Sequence, residues 1–268
     1  MQLYALLNNQ PVLAARARRQ IDYLCPECGD LVRVRGGLHR QPHFFHVKPR
    51  IACRQQGKSL SHLHVQLYLI NLLPKGDTAL EKPFPEIGRI ADVVWESERL
   101  VFEIQCSTIS LQEAKNRCND YQSQDYTCIW ILHEKKFNKI NLTAVEVFLR
   151  SRTCYFTNFN EKGHGEIYDQ FDVCKNPRRV FKGARLKVNL SKPLPMKYKK
   201  NYGVRAIQHR LENWPLHFEG DLLYKFFKRP TDSLKQVEDR YFAKRDPVQA
   251  VKNFLYTFYY LSLESLLR

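Results

Sequence analysis

Residues 80–121 read LEKPFPEIGRIADVVWESERLVFEIQCSTISLQEAKNRCNDY, and their pattern decides the fold. Three short strand-like runs lie within the stretch: Leu80–Phe84, Arg89–Trp95 and Leu100–Cys106, with Glu96-Ser97-Glu98 turning the chain between the last two. Each run carries one acid, Glu81, Asp92 and Glu103, and Glu103 is followed by a second polar group at Gln105. Side chains alternate across a strand, so Leu100, Phe102 and Ile104 share one face while Glu103 and Gln105 share the other. Neighbouring strands can bring Asp92 and Glu81 to the same edge. Carboxylates gathered there repel one another unless a cation or a proton offsets the charge. Hard oxygen donors at such a spacing suit Mg²⁺ or Mn²⁺.

Working outward, Ser59 is a plausible cap for a helix with apolar residues at Leu60, Leu63, Leu67, Ile70 and Leu73, ended by Pro74-Lys75-Gly76-Asp77. His62 and His64 lie on that helix and read as structural. On the other side, Ser110-Leu111-Gln112-Glu113 is a capping-box sequence that predicts a helix from Leu111 to about Ser123. Lys115, Arg117 and Tyr121 project from it, the last two on one face. Tyr126–Leu132 is apolar throughout and fits a strand buried on both sides. The order is helix, three strands, helix, strand. Thr143–Arg150 adds a short helix and Thr153–Thr157 a further strand.

Toward the N-terminus, Cys25-Pro26-Glu27-Cys28-Gly29 forms a Cys-x-x-Cys knuckle. Leu31–Arg35, the turn Gly36-Gly37 and the return run His43–His46 predict a hairpin, and Cys53 follows a basic loop. Cys25, Cys28 and Cys53 with one histidine, His46 ahead of His43, make the donor set of a tetrahedral structural Zn²⁺ site. A site of that kind would brace a lobe too small for a good core of its own.

The 268 residues carry a formal net charge of +16, an excess that points to a polyanion as partner, nucleic acid first. The content of 44% hydrophobic residues excludes a disordered chain. No apolar stretch is long enough to span a bilayer, and the first residues lack the pattern of a signal peptide. A cytoplasmic protein without membrane insertion is therefore expected, its cysteines thiols or metal ligands rather than disulfides. Beyond Glu161 the character changes: Lys175–Lys200 reads as a basic loop or arm, and Asp246-Pro247 opens a final helix over Val248–Leu267. The aromatics among cations in Leu222–Pro230 could stack on unpaired bases. These readings divide the chain into a zinc-finger-like lobe (1–57), an α/β core (58–160) and a basic, largely helical C-terminal region (161–268).

Cys25-x-x-Cys28, His43–His46, Cys53, a helix with His62, Arg89-x-x-Asp92, Glu103-x-Gln105-x-Ser107 and Arg117-x-x-x-Tyr121 occur in one order. That series resembles the competence protein CoiA-like family, whose members are similar to PD-(D/E)XK nucleases. The resemblance covers residues 1 to about 160 and implies a restriction-endonuclease-like αβββαβ core. It further implies that Asp92 and Glu103 bind a divalent metal and that Gln105 holds the place of the motif lysine. Glutamine offers a dipole where lysine offers a charge, so Arg89 or Lys115 would have to supply the cation. Glu81 is either an additional carboxylate near the metal or a salt-bridged strand residue. Ser107 either bonds phosphate or caps the next turn, the cap being the better reading. Arg117 and Tyr121 either contact DNA or tie the helix to the sheet. The expected function is Mg²⁺- or Mn²⁺-dependent hydrolysis of DNA, alongside recombination or DNA-uptake proteins. The alternatives are a DNA-binding module that does not cut and a zinc-braced protein-interaction scaffold.

Overall fold

The described residues of the N-terminal lobe fold mainly as β-strands, as their hairpin signals require. In a computed structural model describing residues 1–37, 40–48, 53, 58–175, 177–196, 201–229 and 233–242, β1 (Tyr4–Leu7), β2 (Gln10–Leu13), β3 (Tyr23–Leu24), β4 (Leu31–Gly37) and β5 (Arg40–His46) form one sheet. Its order is β2-β1-β3-β4-β5, antiparallel throughout. The core beneath it is small: Ala5, Ala14, Tyr23, Val32 and Phe44 are joined there by Cys25 and Cys53.

The core follows with α1 (Leu60–Leu72), β6 (Thr78–Phe84), β7 (Arg89–Trp95), β8 (Leu100–Gln105), α2 (Leu111–Ser123) and β9 (Thr127–His133), the expected αβββαβ order. Both helices start where the sequence places their caps. Ser59 Oγ accepts from the His62 amide at 3.2 Å and Ser110 Oγ from the Glu113 amide at 3.1 Å. After α3 (Ala144–Arg150) and β10 (Cys154–Thr157) come β11 (Ile167–Lys175) and β12 (Arg178–Lys187), and the seven-stranded sheet runs β12-β11-β10-β9-β8-β7-β6. Strands β8, β9 and β10 are parallel and central, with antiparallel pairs on either side. All six residues of β8 are buried, as expected of a strand covered on both faces. On one face Val94 and Val101 cluster with Tyr121 of α2. On the other, Phe102 lies 6.4 Å from Phe218 in β14 (Leu216–Glu219), which pairs with β13 (Asn189–Pro195).

Two expectations are corrected. Lys175–Lys200 is no loose arm as far as it is described: β12 extends the main sheet and β13 opens a two-stranded ribbon. β12 lies at the sheet's edge, and its exposed side chains, Arg178, Lys182, Arg185 and Lys187, hide the alternation that would mark a strand. On α1 the buried face is not the leucine stripe. It contains His62 and Gln66 beside Leu63, Val65 and Leu69, because those two polar groups face a buried charge.

The C-terminal region carries α4 (Arg205–Asn213), α5 (Leu222–Lys228) and, in a separate unit, α6 (Ser233–Phe242). Phe226 of α5 is buried with its ring 5.1 Å from that of Tyr202, so it belongs to the core rather than to a stacking surface. The final helix expected over Val248–Leu267 lies outside the described residues. The division expected at residue 160 falls between β10 and β11, which pair with each other.

A buried cation fastens the edge of the sheet. Arg179 of β12 meets Glu146 of α3 at 2.6 Å and Asp172 of β11 at 2.5 Å, with the guanidinium shut off from water. Removing one member of such a group strands the opposite charges in the interior. Arg179→Ala is expected to lower unfolding stability by about 3–5 kcal/mol, measured by urea denaturation.

Candidate functional site

The three acids singled out in the sequence lie at one level of adjacent strands. The β6–β7 register, Leu80 opposite Val93 and Lys82 opposite Ala91, sets Glu81 across from Asp92. The β7–β8 ladder ends at Val93 opposite Phe102, one step before Asp92 and Glu103 would face each other. Where that ladder stops, the Ile104 amide donates to Asp92 Oδ2 at 2.9 Å instead of to a strand partner. Glu81 interrupts β6 with a left-handed backbone, φ +48°, a conformation that costs a residue with a Cβ about 1–2 kcal/mol.

Each carboxylate is buried and held by polar neighbours. Lys58, just ahead of α1, places its ammonium 2.8 Å from Glu81 Oε1 and 2.9 Å from Asp92 Oδ1. His62 Nε2 lies 3.0 Å from Asp92 Oδ1, and Gln66 Nε2 donates to the same oxygen at 3.2 Å. Burial pushes the Asp92 carboxyl up, but His62 and Lys58 outweigh it, and its pKa lies well below the ordinary 3.8. Glu103 faces α2: the Tyr121 hydroxyl donates to Oε1 at 2.6 Å and Arg117 pairs with Oε2. There burial, with Asp92 nearby, raises the carboxyl above its usual value despite Arg117. Glu81 Oε2 is buried without any hydrogen-bond partner.

Of the three acids, Asp92 lines a cleft of about 740 Å³, together with Lys58, His62, Arg89, Gln105 and Arg117 and with Pro26 and Glu27 of the N-terminal lobe. Gln105 points its amide nitrogen at Ser107, 2.8 Å from the carbonyl oxygen and 3.2 Å from the hydroxyl. Arg89 lines the cleft but is anchored to α2 by Glu113 at 2.7 Å and Asp120 at 2.8 Å. Arg117 is likewise held, by Glu113 at 3.0 Å as well as by Glu103. Tyr121 is buried and its hydroxyl bonds Glu103, which ties α2 to the sheet, though the residue also lines the cleft. Lys115 is exposed, its ammonium 5.9 Å from the Phe148 ring centre, and it is not among the groups lining the cleft.

Lys58 and Gln66 were not identified from the sequence, and His62 was read as structural. The pair His62 and Gln66, one helical turn apart on an otherwise apolar helix, is a signal that could have been used. Nothing in the sequence marks Lys58, because a lysine at a helix start normally faces water.

In the N-terminal lobe Cys25, Cys28, His46 and Cys53 converge, their ligand atoms all within 4.8 Å of one another. Cys25 and Cys53 have their sulfurs 3.7 Å apart, and Cys28 Sγ lies 3.3 Å from His46 Nε2. A tetrahedron with metal–sulfur bonds of about 2.3 Å has an edge of about 3.8 Å, so the donor set could hold a metal such as zinc. His43 turns elsewhere: its ring nitrogens meet the Gln41 carbonyl at 2.8 Å and Arg35 at 3.0 Å. Among the described residues this is the one group of three or more such side chains gathered so closely. Glu81, Asp92 and Glu103 share a level without closing on a single point.

Fold and sites together define a mixed α/β protein with a large mixed sheet and a small Cys/His lobe. The sequence matches the family description "Competence protein CoiA, nuclease-like domain" over residues 58–168 and "Competence protein CoiA, N-terminal domain" over residues 7–56. The chain belongs to the CoiA-like family. It is 25% identical over 246 residues to "Competence protein CoiA" of Bacillus subtilis (strain 168), an alignment covering 87% of this chain and 57% of that protein. No solved structure matches. Among the described residues no helix is long and apolar enough to cross a membrane.

The depressed Asp92 pKa has a consequence for stability. Between its folded and unfolded values the unfolded chain binds the extra proton, so the contribution of Asp92 is complete above about pH 4–5 and lost as the pH falls further. Unfolding stability measured from pH 7 down to pH 2 is expected to fall less steeply in Asp92→Asn than in the parent.

Proposed function

We propose that this protein is a PD-(D/E)XK-type nuclease that hydrolyses DNA phosphodiester bonds with Mg²⁺ or Mn²⁺, in transformation or recombination. The observation that carries the reading is the row Glu81, Asp92 and Glu103 across three adjacent strands, beside a cation-bordered cleft. The donors fit a hard divalent ion. All are carboxylates, and one buried oxygen of Glu81 has no partner. Asp92 and Glu103, with the Ile104 carbonyl and Glu81, would hold it. Bound there, the ion supplies a lowered pKa for its water and charge against the scissile phosphate.

The chain's own groups do the rest. Ser107 fixes the amide nitrogen of Gln105, which leaves the amide oxygen to accept from an attacking water and orient it. Tyr121 and Arg117 hold Glu103 in place from α2. The net charge of +16 favours the sugar–phosphate backbone without base readout. Cys25, Cys28, His46 and Cys53 would hold a structural Zn²⁺ that stiffens the lobe beside the cleft. The family of the relative suggests DNA-uptake or recombination proteins as partners.

One observation favours a second reading, a DNA-binding module that does not cut. Asp92 and Glu103 already have protein cations as partners, and position 105 lacks a lysine.

The two separate on one experiment. Mg²⁺-dependent cutting of plasmid or single-stranded DNA is expected, falling at least ~100-fold in Asp92→Ala and Glu103→Ala while gel-shift binding is retained. Salt-sensitive binding without cutting in the parent would select the second reading. Native mass spectrometry is expected to find zinc bound, and to find it lost in Cys28→Ser.

A further inference from the structure

A nuclease site with glutamine at position 105 needs its positive charge from elsewhere, and the described lysine and arginine side chains lining the cleft are Lys58, Arg89 and Arg117. Arg89 is committed to Glu113 and Asp120, and Arg117 keeps Glu113 even if Glu103 is taken from it. Lys58 differs. Its two ion-pair partners, Glu81 and Asp92, are the very groups that would turn to a divalent ion. Its backbone is fixed beside the Ser59 cap, while its four-carbon stem leaves the ammonium able to move by several ångströms. The ammonium is a compact charge that needs no fixed fork geometry, which suits it to exchange a carboxylate for a phosphate oxygen.

Resting on the nuclease reading, we infer that Lys58 is the catalytic cation that this chain uses in place of a lysine at position 105. Before the ion binds, Lys58 bridges Glu81 and Asp92 and offsets one of their two charges. When the ion takes those carboxylates, Lys58 is released toward the phosphate in the cleft. Its proposed part is charge and not proton transfer. Two cations then compete for one pair of acids, and removing Lys58 should strengthen ion binding while it weakens cleavage. A purely structural lysine would lose both together.

The test uses the full chain with Mn²⁺ alone as the probe, by isothermal titration, followed by Mg²⁺-dependent plasmid cleavage. Lys58→Met is expected to bind Mn²⁺ roughly tenfold more tightly and to cut at least ~100-fold more slowly than the parent. Lys58→Arg, which keeps the charge, should recover part of the cutting. Cutting by Lys58→Met within about threefold of the parent, while Asp92→Asn is inactive, overturns the role of Lys58 and leaves the nuclease reading standing. Loss of Mn²⁺ binding and cutting together, with a lowered melting temperature, makes Lys58 a strut and also overturns it. A parent that does not cut, or an Asp92→Asn variant that cuts like the parent, removes the nuclease reading and the proposal with it.

Discussion

Three carboxylates, Glu81, Asp92 and Glu103, lie buried side by side, and their mutual repulsion constrains everything packed around them. The start of α1 answers it from one direction, with Lys58, His62 and Gln66. Helix α2 answers from the other with Arg117 and Tyr121. The same helix is laced to the start of β7 through Asp120, Arg89 and Glu113. Neither helix could shift along the sheet without leaving a charge unmatched in the interior. The acids therefore fix the positions of the helices at least as firmly as the apolar clusters beneath them.

Much of this was legible in the chain. The capping residues Ser59 and Ser110 announced both helices, and the runs ending in Trp95 and beginning at Leu100 announced the hairpin that aligns Asp92 with Glu103. These are local signals, written within a few residues of the element they define. The edge strand β12 was not legible, because on an exposed edge the arginines and lysines blur the period of two. Nor was Lys58. Its inward course depends on acids 23 and 34 residues away, and no local rule distinguishes it from a solvated lysine. The sequence marks Arg89 and Arg117 as cations for a nucleic acid, whereas their acidic partners Glu113 and Asp120 are visible only in the fold.

The N-terminal lobe is not an appendage remote from the acids. The Tyr4 hydroxyl of β1 donates to the Glu81 carbonyl at 2.6 Å, and Pro26 and Glu27, between the paired cysteines, border the cleft. The lobe's own core has few apolar residues, and Cys25, Cys28, His46 and Cys53 meet at one point beside it, a donor set that could hold a metal. The wall of the cleft and that meeting point are the same short piece of chain.

The left-handed backbone at Glu81 sets two demands on one residue. The main chain there would accept glycine or asparagine most readily, whereas Lys58 requires an anion. Few of the twenty side chains serve both, aspartate being the nearest substitute. Mutational drift at this position is thereby confined to a narrow corridor, with branched aliphatics disfavoured by the main chain and small neutral residues by the loss of one of the two anions that Lys58 faces.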